Sequence, residues 1–363
     1  MERALPEVRV SIDACYLSNP LATDLFREYF NRDVINDQQL IKRLFEAYPS
    51  QNRAIAERLS PTVGVLPNRI FVANGASEAI QAIIHNYSSH VHVVVPTFSP
   101  YYEFASSPRS FTMMQTREED DFRLDPERYV DSVIGSGADT AVLISPNNPD
   151  GYYIPEDDLK WILARLSGLS TVIVDESFIH FAREWGSNSW PSLIEVTEMF
   201  PNVSVIKSMS KDFGIAGIRA GYAIMNSRRV DQLLENGYLW NINGIAEYFF
   251  SLFARQGFVD EYRDVLQTYR DRIDRFTSMT RDADFIRCFP TSANFQLMKM
   301  PDGMTSELAT ALLLVRHGVY VRNCADKVGL RGEFIRVAIR TDEENIRVFK
   351  ALEDVLGSSL PPR

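Results

Sequence analysis

Lys211 stands in a stretch, residues 204–222, that could hold both a reactive carbonyl and a phosphate. Two hydroxyls precede it, Ser208 and Ser210, and Arg219 follows between glycine-containing pairs, Ala216–Gly217 and Ala220–Gly221. Attack on an aldehyde requires a neutral amine, and partial burial beside cationic groups lowers a lysine's proton affinity. Phosphate oxygens call for hydroxyl donors and for a guanidinium that can fork onto two of them. A lysine taken alone is most often a solvated surface residue. Here the glycines and the apolar neighbours Phe213, Ile215 and Ile218 argue for a packed turn instead.

Other segments end apolar runs in complementary groups. Asn74–Glu78 (NGASE) follows the run Ile70–Ala73 and opens a helical segment at Ser77. Its backbone N–H groups and positive helix end form a natural anion cradle, although a plain N-capped helix start reads equally well. Asp175 closes the run that begins at Thr171, and a carboxylate at a strand's carboxyl end lies where ligands bind in an open α/β sheet. There it could keep a pyridine-type nitrogen protonated and make the ring an electron sink. A magnesium-ligand role would need a phosphate-binding GxxxxGK loop, and the chain has none; the neighbouring Glu176 takes no role. Pro146–Gly151 (PNNPDG) is a turn by composition, and it sets Asn148 at another strand end, where its amide could donate to a ring oxygen or a carboxylate. Pro96–Tyr102 (PTFSPYY) brings Tyr101, which could stack on a flat ring, although aromatics more often belong to cores or interfaces. Arg336 interrupts the apolar run Phe334–Ile339; buried there it needs a carboxylate partner, from protein or ligand, and Arg340 lies on the same strand face. The five histidines have no ligand spacing, so no metal is implied.

The elements that must position these groups follow from periodicity. Runs rich in Val and Ile, apolar on both faces, occur at Ile70–Ala73, Val91–Pro96, Thr140–Ile144, Thr171–Val174, Val203–Ile206 and Gly221–Met225. Helical segments lie between them, among them Ser77–Tyr87 and Glu156–Leu166. The alternation predicts an α/β three-layer sandwich with a mostly parallel central sheet over residues 45–245. Residues 246–363 predict a smaller α+β domain: a long helical stretch over 245–280, short strands at Asn294–Met298, Tyr320–Arg322 and Phe334–Ile339, and a closing helix Asp342–Leu356. Residues 1–44 are expected to form an N-terminal arm and part of that smaller domain. A chain of 363 residues exceeds the ~250–300 at which one core stops growing, in keeping with two lobes. The formal charge of −10 argues against a nucleic-acid surface. Three cysteines without CxxC spacing, a charged start and the lack of a long uncharged apolar window lead to the expectation of a reduced, cytoplasmic protein that does not enter the membrane.

The ordered set NGASE, PTFSPYY, PNNPDG, Asp175, SMSK with Arg219, and FIRVAIR resembles the class I/II aminotransferase family, pyridoxal-5′-phosphate (PLP) enzymes of fold type I, in particular its histidinol-phosphate aminotransferase branch. The resemblance spans residues 70–340. It implies that Lys211 binds PLP as a Schiff base and then shuttles protons, and that Asp175 pairs with the pyridine nitrogen. Asn148 would meet the ring's 3-oxygen and Tyr101 would stack on the ring. Ala76, Ser77, Ser208, Ser210 and Arg219 would hold the phosphate, and Arg336 the substrate α-carboxylate. Tyr48 matches the family tyrosine that reaches the partner subunit's phosphate, which implies a homodimer with shared sites.

Two departures bear on the reaction. Phe178 stands where the aminotransferases usually have a tyrosine that donates to the 3-oxygen. The segments Val321–Leu330 and Phe334–Thr341 look more like threonine-phosphate decarboxylase, in which the arginine matching Arg322 lies near the substrate phosphate. The glycine- and histidine-bearing N-terminal segment of that decarboxylase is absent, and Asp13–Pro20 stands in its place. Transamination of an α-amino acid, with one bearing an anionic side chain among the candidates and a 2-oxo acid as second substrate, is the first expectation. Decarboxylation of a phosphorylated or phosphonate amino acid is the alternative. A remote third is a serine hydrolase, because Ser208 and Lys211 fit S-x-x-K, but KTG and an export signal are missing.

Overall fold

The computed structural model describes residues 9–105, 110–183, 192, 194 and 196–357; the outer ends of the expected arm (1–8) and of the C-terminal segment (358–363) lie outside them. Its strands are β1 (Ile12–Ala14), β2 (Ile70–Ala73), β3 (His90–Val95), β4 (Ser110–Gln115), β5 (Thr140–Ile144), β6 (Thr171–Asp175), β7 (Val203–Ser208), β8 (Gly221–Ile224), β9 (Arg287–Cys288), β10 (Phe295–Lys299), β11 (Val319–Asn323) and β12 (Phe334–Ala338). A seven-stranded sheet takes the order β2-β8-β7-β6-β5-β3-β4, with β8 antiparallel to both neighbours and the remaining pairs parallel.

The Val- and Ile-rich runs form this sheet because both of its faces are covered. Val142, Ile144, Ile173 and Ile206 pack under the helices Ala76–Tyr87 and Ser227–Glu235. Ala141, Leu143, Val172 and Val174, their neighbours of opposite parity, pack against Pro126–Ser136 and Glu156–Arg165. Alternation along each strand thus fills two apolar layers, the three-layer arrangement expected. The edge strand β2 is closed by the buried Asn52, whose amide donates to the Ile70 carbonyl at 3.0 Å and accepts from the Val72 N–H at 2.6 Å.

A second sheet takes the order β1-β11-β12-β10-β9. The N-terminal segment completes it, as Ile12 pairs in parallel with Val319. The closing helix Asp342–Leu356 begins at a capping box formed by Thr341 and Glu344. Two elements differ from expectation. The strand Ser110–Gln115 has no apolar run because it is a sheet edge with Ser110 and Phe111 exposed. The long helical stretch is two helices, Gly244–Phe253 and Gln256–Arg281, separated where Arg255 turns to an extended conformation (φ −90°, ψ 119°). Among the described residues no helix is long and apolar enough to cross a membrane.

Because β8 alone runs backwards, β2, β5, β6 and β7 end on the same edge of the large sheet, and the loops after them carry the groups of interest. Gly221 seals that edge: a Cβ there would stand 2.7 Å from the Ala76 nitrogen and 2.8 Å from the Gly75 carbonyl carbon. Gly221→Ala is therefore expected to force backbone apart, lowering stability by about 1–3 kcal/mol. Urea unfolding measures that loss, and cofactor retention on gel filtration should fall with it.

Candidate active site

All the expected site residues except Tyr101 and Tyr48 face one cleft at the carboxyl edge of the large sheet, beside the second sheet. At its inner end Ala76 and Ser77 begin the helix Ala76–Tyr87, directing N–H groups and the positive helix end toward the cleft. Gly75 precedes them with φ +78°, and a Cβ on it would stand 2.4 Å from an Arg219 guanidinium nitrogen. Arg219 itself adopts φ +62° and donates from Nη1 to the Ala216 carbonyl at 3.0 Å. Ser208 and Ser210 complete the rim. Backbone donors, hydroxyls and a guanidinium thus crowd a hollow that only glycine leaves open, and a phosphate group fits it.

Lys211 is a half-buried residue next to this hollow, with its amine turned into the cleft. Burial first, then the guanidiniums of Arg336 and Arg219, pull its pKa down to about 8 against the opposing pull of Asp175 and Asp212. At pH 7.5 about a quarter of such amines are neutral, against about one in a thousand for an ordinary lysine, so nucleophilic attack on an aldehyde is open to this one. Asp175 ends β6 in full burial. Its two oxygens accept from the Ser177 N–H at 2.8 Å and the Tyr101 hydroxyl at 2.7 Å, while burial raises its pKa. A cationic ring nitrogen would relieve the desolvation that keeps the pKa high.

Tyr101 is a correction. It was expected to stack on a ring, but its side chain is fully buried and its hydroxyl is bound to Asp175. Its ring belongs to the apolar layer beneath the sheet edge, and Phe98 lines the cleft instead. Tyr48 is 85% exposed, packs on Trp240 at 5.9 Å and does not reach the cleft of its own chain.

At the outer end Arg336 projects from β12. It donates to Asn148 Oδ1 at 2.6 Å and to the Cys15 carbonyl at 3.0 Å, and its buried Nε has no hydrogen-bond partner among the described residues. Both acceptors are neutral, so the carboxylate partner expected for this arginine does not come through those bonds; a ligand carboxylate would supply it. Because Asn148 accepts through Oδ1, its amide protons are available to the cleft. Phe178 lines the wall and meets Phe295 edge-on at 5.1 Å, offering no hydroxyl. Arg322 also lines the cleft and is paired with Asp326 at 2.5 Å. Lys327 is a cleft residue that sequence reasoning did not assign. Its Nζ donates to the Thr97 carbonyl at 3.5 Å, and burial lowers its pKa. It belongs to a loop held against the large sheet by the Gln115 amide, which donates to the Gly329 carbonyl at 2.8 Å. No local spacing signals that contact.

Fold and cleft together define a PLP-dependent enzyme of fold type I. The family model "Aminotransferase class I and II" matches residues 27–352, and the chain belongs to that family. It is 44% identical to an L-serine phosphate decarboxylase of Campylobacter jejuni over 98% of this chain and 91% of that one. The L-serine phosphate decarboxylase of Sulfurospirillum multivorans is 40% identical over 99% of this chain and 92% of its own length. A solved structure of a decarboxylase from Sulfurospirillum multivorans superposes with a TM-score of 0.94 at 40% identity, covering 99% of this chain and 91% of that one. The histidinol-phosphate aminotransferase of Clostridium acetobutylicum gives a TM-score of 0.83 at 26% identity, covering 95% and 99%.

Two outcomes check the inner end. In protein stripped of cofactor, the rate of PLP capture should rise with pH around a midpoint near 8, where Lys211 loses its proton, and level off above it. A rate still climbing steeply beyond pH 9 would show an ordinary, solvated amine. Tyr101→Phe removes a hydrogen bond to a charged group, a loss of about 1.5–3 kcal/mol. Equilibrium titration should show PLP binding roughly 10- to 100-fold weaker, with the fold intact.

Proposed function

We propose that the protein releases the α-carboxyl group of O-phospho-L-serine as carbon dioxide, leaving phosphoethanolamine. This puts decarboxylation ahead of the transamination expected first from the motifs. The observation that carries the reading is the set of three cations at the outer end of the cleft: Arg336, with neutral hydrogen-bond partners, and the pair Arg322 and Lys327 beside it. A substrate with two anionic ends matches that set. Arg336 and Asn148 suit the α-carboxylate, and Arg322 with Lys327 suits a phosphate, which would compete with Asp326 for the Arg322 guanidinium. The relatives named L-serine phosphate decarboxylase, similar over nearly the whole chain, support the same substrate.

When bound, PLP supplies the electron sink for the pair left at Cα when the carboxyl group departs. Asp175, held by Tyr101 and Ser177, keeps a proton on the ring nitrogen. Ala76, Ser77, Ser208, Ser210 and Arg219 bind the cofactor phosphate and fix its orientation. Lys211, with a pKa of about 8, would hold a proton near neutrality and is suited to deliver it to Cα, so that the carbon–carboxyl bond lost is replaced by a carbon–hydrogen bond and one proton is consumed overall. Phe178 leaves the ring oxygen to Asn148. The reading includes a homodimer in which the exposed Tyr48 reaches the partner subunit's cofactor phosphate.

The purified holoenzyme given O-phospho-L-serine should yield carbon dioxide and phosphoethanolamine in equal amounts, and Lys211→Ala should lose both the turnover and the borohydride-reducible link to the cofactor. Lys327→Ala should raise KM for O-phospho-L-serine roughly 10- to 100-fold, the loss of one charged hydrogen bond. Accumulation of pyridoxamine phosphate, reversed by a 2-oxo acid and without gas release, would instead establish transamination.

A further inference from the structure

Behind the cleft lie three buried ionisable side chains that the chemistry above does not use. Lys207 precedes Ser208 in β7, Asp212 follows Lys211, and His180 sits in the short turn Ile179–Phe181 after β6. Their side chains are 5%, 0% and 5% exposed, and none lines the cleft. Asp212 Oδ2 lies 2.9 Å from His180 Nδ1 and 3.3 Å from Lys207 Nζ. Lys207 Nζ also donates to the Glu176 carbonyl at 3.3 Å, and His180 Nδ1 is 3.2 Å from the Tyr262 hydroxyl. One ammonium therefore ties the residue after Asp175 to the residue after Lys211.

Stability is a weak reason for such a cluster. Taking an ion pair out of water costs about as much as its attraction returns, and apolar replacements of the same volume are often as stable. Placement is the stronger reason, since the cluster spans the two strand ends that must meet the same cofactor. We propose that Lys207, Asp212 and His180 form a positioning cluster that locks the chain at Asp175 and Lys211 in one register and balances the charge around the Lys211 amine. This rests on the reading that Lys211 holds the cofactor.

The charges that face these groups are few. Lys211 faces Arg336, Arg219, Asp175 and Asp212; Asp175 faces Tyr101 and Lys207. Asp212 faces Lys207 and His180, with the Tyr222 and Tyr262 hydroxyls nearby, and His180 also has Arg270 beside it. Burial, with Lys207, brings the His180 pKa down to about 4, so at neutral pH the cluster holds one cation and one anion. Asp212 favours a protonated Lys211, whereas Lys207 favours an ionised Asp175. Removing either partner leaves an unbalanced charge of known sign.

The test is a pH titration of the visible absorption of the holoenzyme, which reports protonation at the Lys211 nitrogen. Lys207→Met should raise the midpoint and Asp212→Asn should lower it, each by about half a pH unit or more at the effective dielectric of a buried site. Lys207→Arg should keep the wild-type midpoint. The double variant Lys207→Met/Asp212→Leu, which removes both charges, should fold and return close to it. Single variants that shift the midpoint in the same direction, or not at all, overturn the proposal. So does failure of the single and double variants alike to fold, which would make the cluster structural. A wild-type protein without a borohydride-reducible band would overturn the cofactor reading, and this proposal with it.

Discussion

A buried amine held close to two guanidiniums is the constraint on which the rest of the site depends. Lys211 shares its cleft with Arg219 and Arg336, and burial makes the positive charges of Lys211 and Arg336 costly. The protein answers in two ways. It lowers the proton affinity of Lys211, which supplies the neutral nucleophile. It also leaves Arg336 with neutral hydrogen-bond partners, so that an anionic ligand improves the electrostatics when it arrives. A cofactor bearing a phosphate and a substrate bearing a carboxylate are the anions that complete such a cleft. Asp175, the one fully buried carboxylate on its wall, has the opposite need, and a protonated ring nitrogen meets it.

The large sheet was legible in the sequence because its strands are buried on both faces. Thr140–Ile144 is apolar throughout, and its two parities pack into different layers, so the run stands out without alternation. The edge strand Ser110–Gln115 had no such signal, since half of its surface meets water and its residues are mixed. The same physics divides the site. Residues that line the cleft from the large sheet sit in short segments following a strand, where a glycine or a cap betrays the turn. Lys211, Asp175 and Asn148 were readable on that ground. Tyr101 was assigned to the correct segment and the wrong partner, because its side chain points under the sheet edge toward Asp175, and direction is not encoded in spacing.

Lys327 was not readable for a further reason. Its place depends on a loop from the second sheet reaching the large one, through Gln115 to the Gly329 carbonyl and through the close approach of Gly329 to Pro96, where a Cβ would stand 2.9 Å from the proline nitrogen. Gly329 has φ +91°, a conformation that glycine adopts without strain. The contact joins residues more than two hundred positions apart, separated by several elements. Only the assembled fold brings that ammonium beside Arg322.

This difference in origin separates what the family shares from what divides it. The inner end of the cleft is built wholly from one sheet's edge, and its groups are those suited to the PLP that aminotransferases and decarboxylases of this family share. The outer end is built across two sheets: Asn148 and Phe178 come from the large one, and Arg322, Lys327 and Arg336 from β11, the loop after it and β12. On the proposed function, Arg336 and Asn148 would fix the substrate carboxylate, and its placement would decide whether a proton or carbon dioxide leaves Cα. On that proposal, a phosphate held by Arg322 and Lys327 would add a second fixed point on the substrate, and two points restrain its rotation far better than one. On the proposed function, selectivity for a phosphorylated amino acid and control of the reaction would follow from the same contacts.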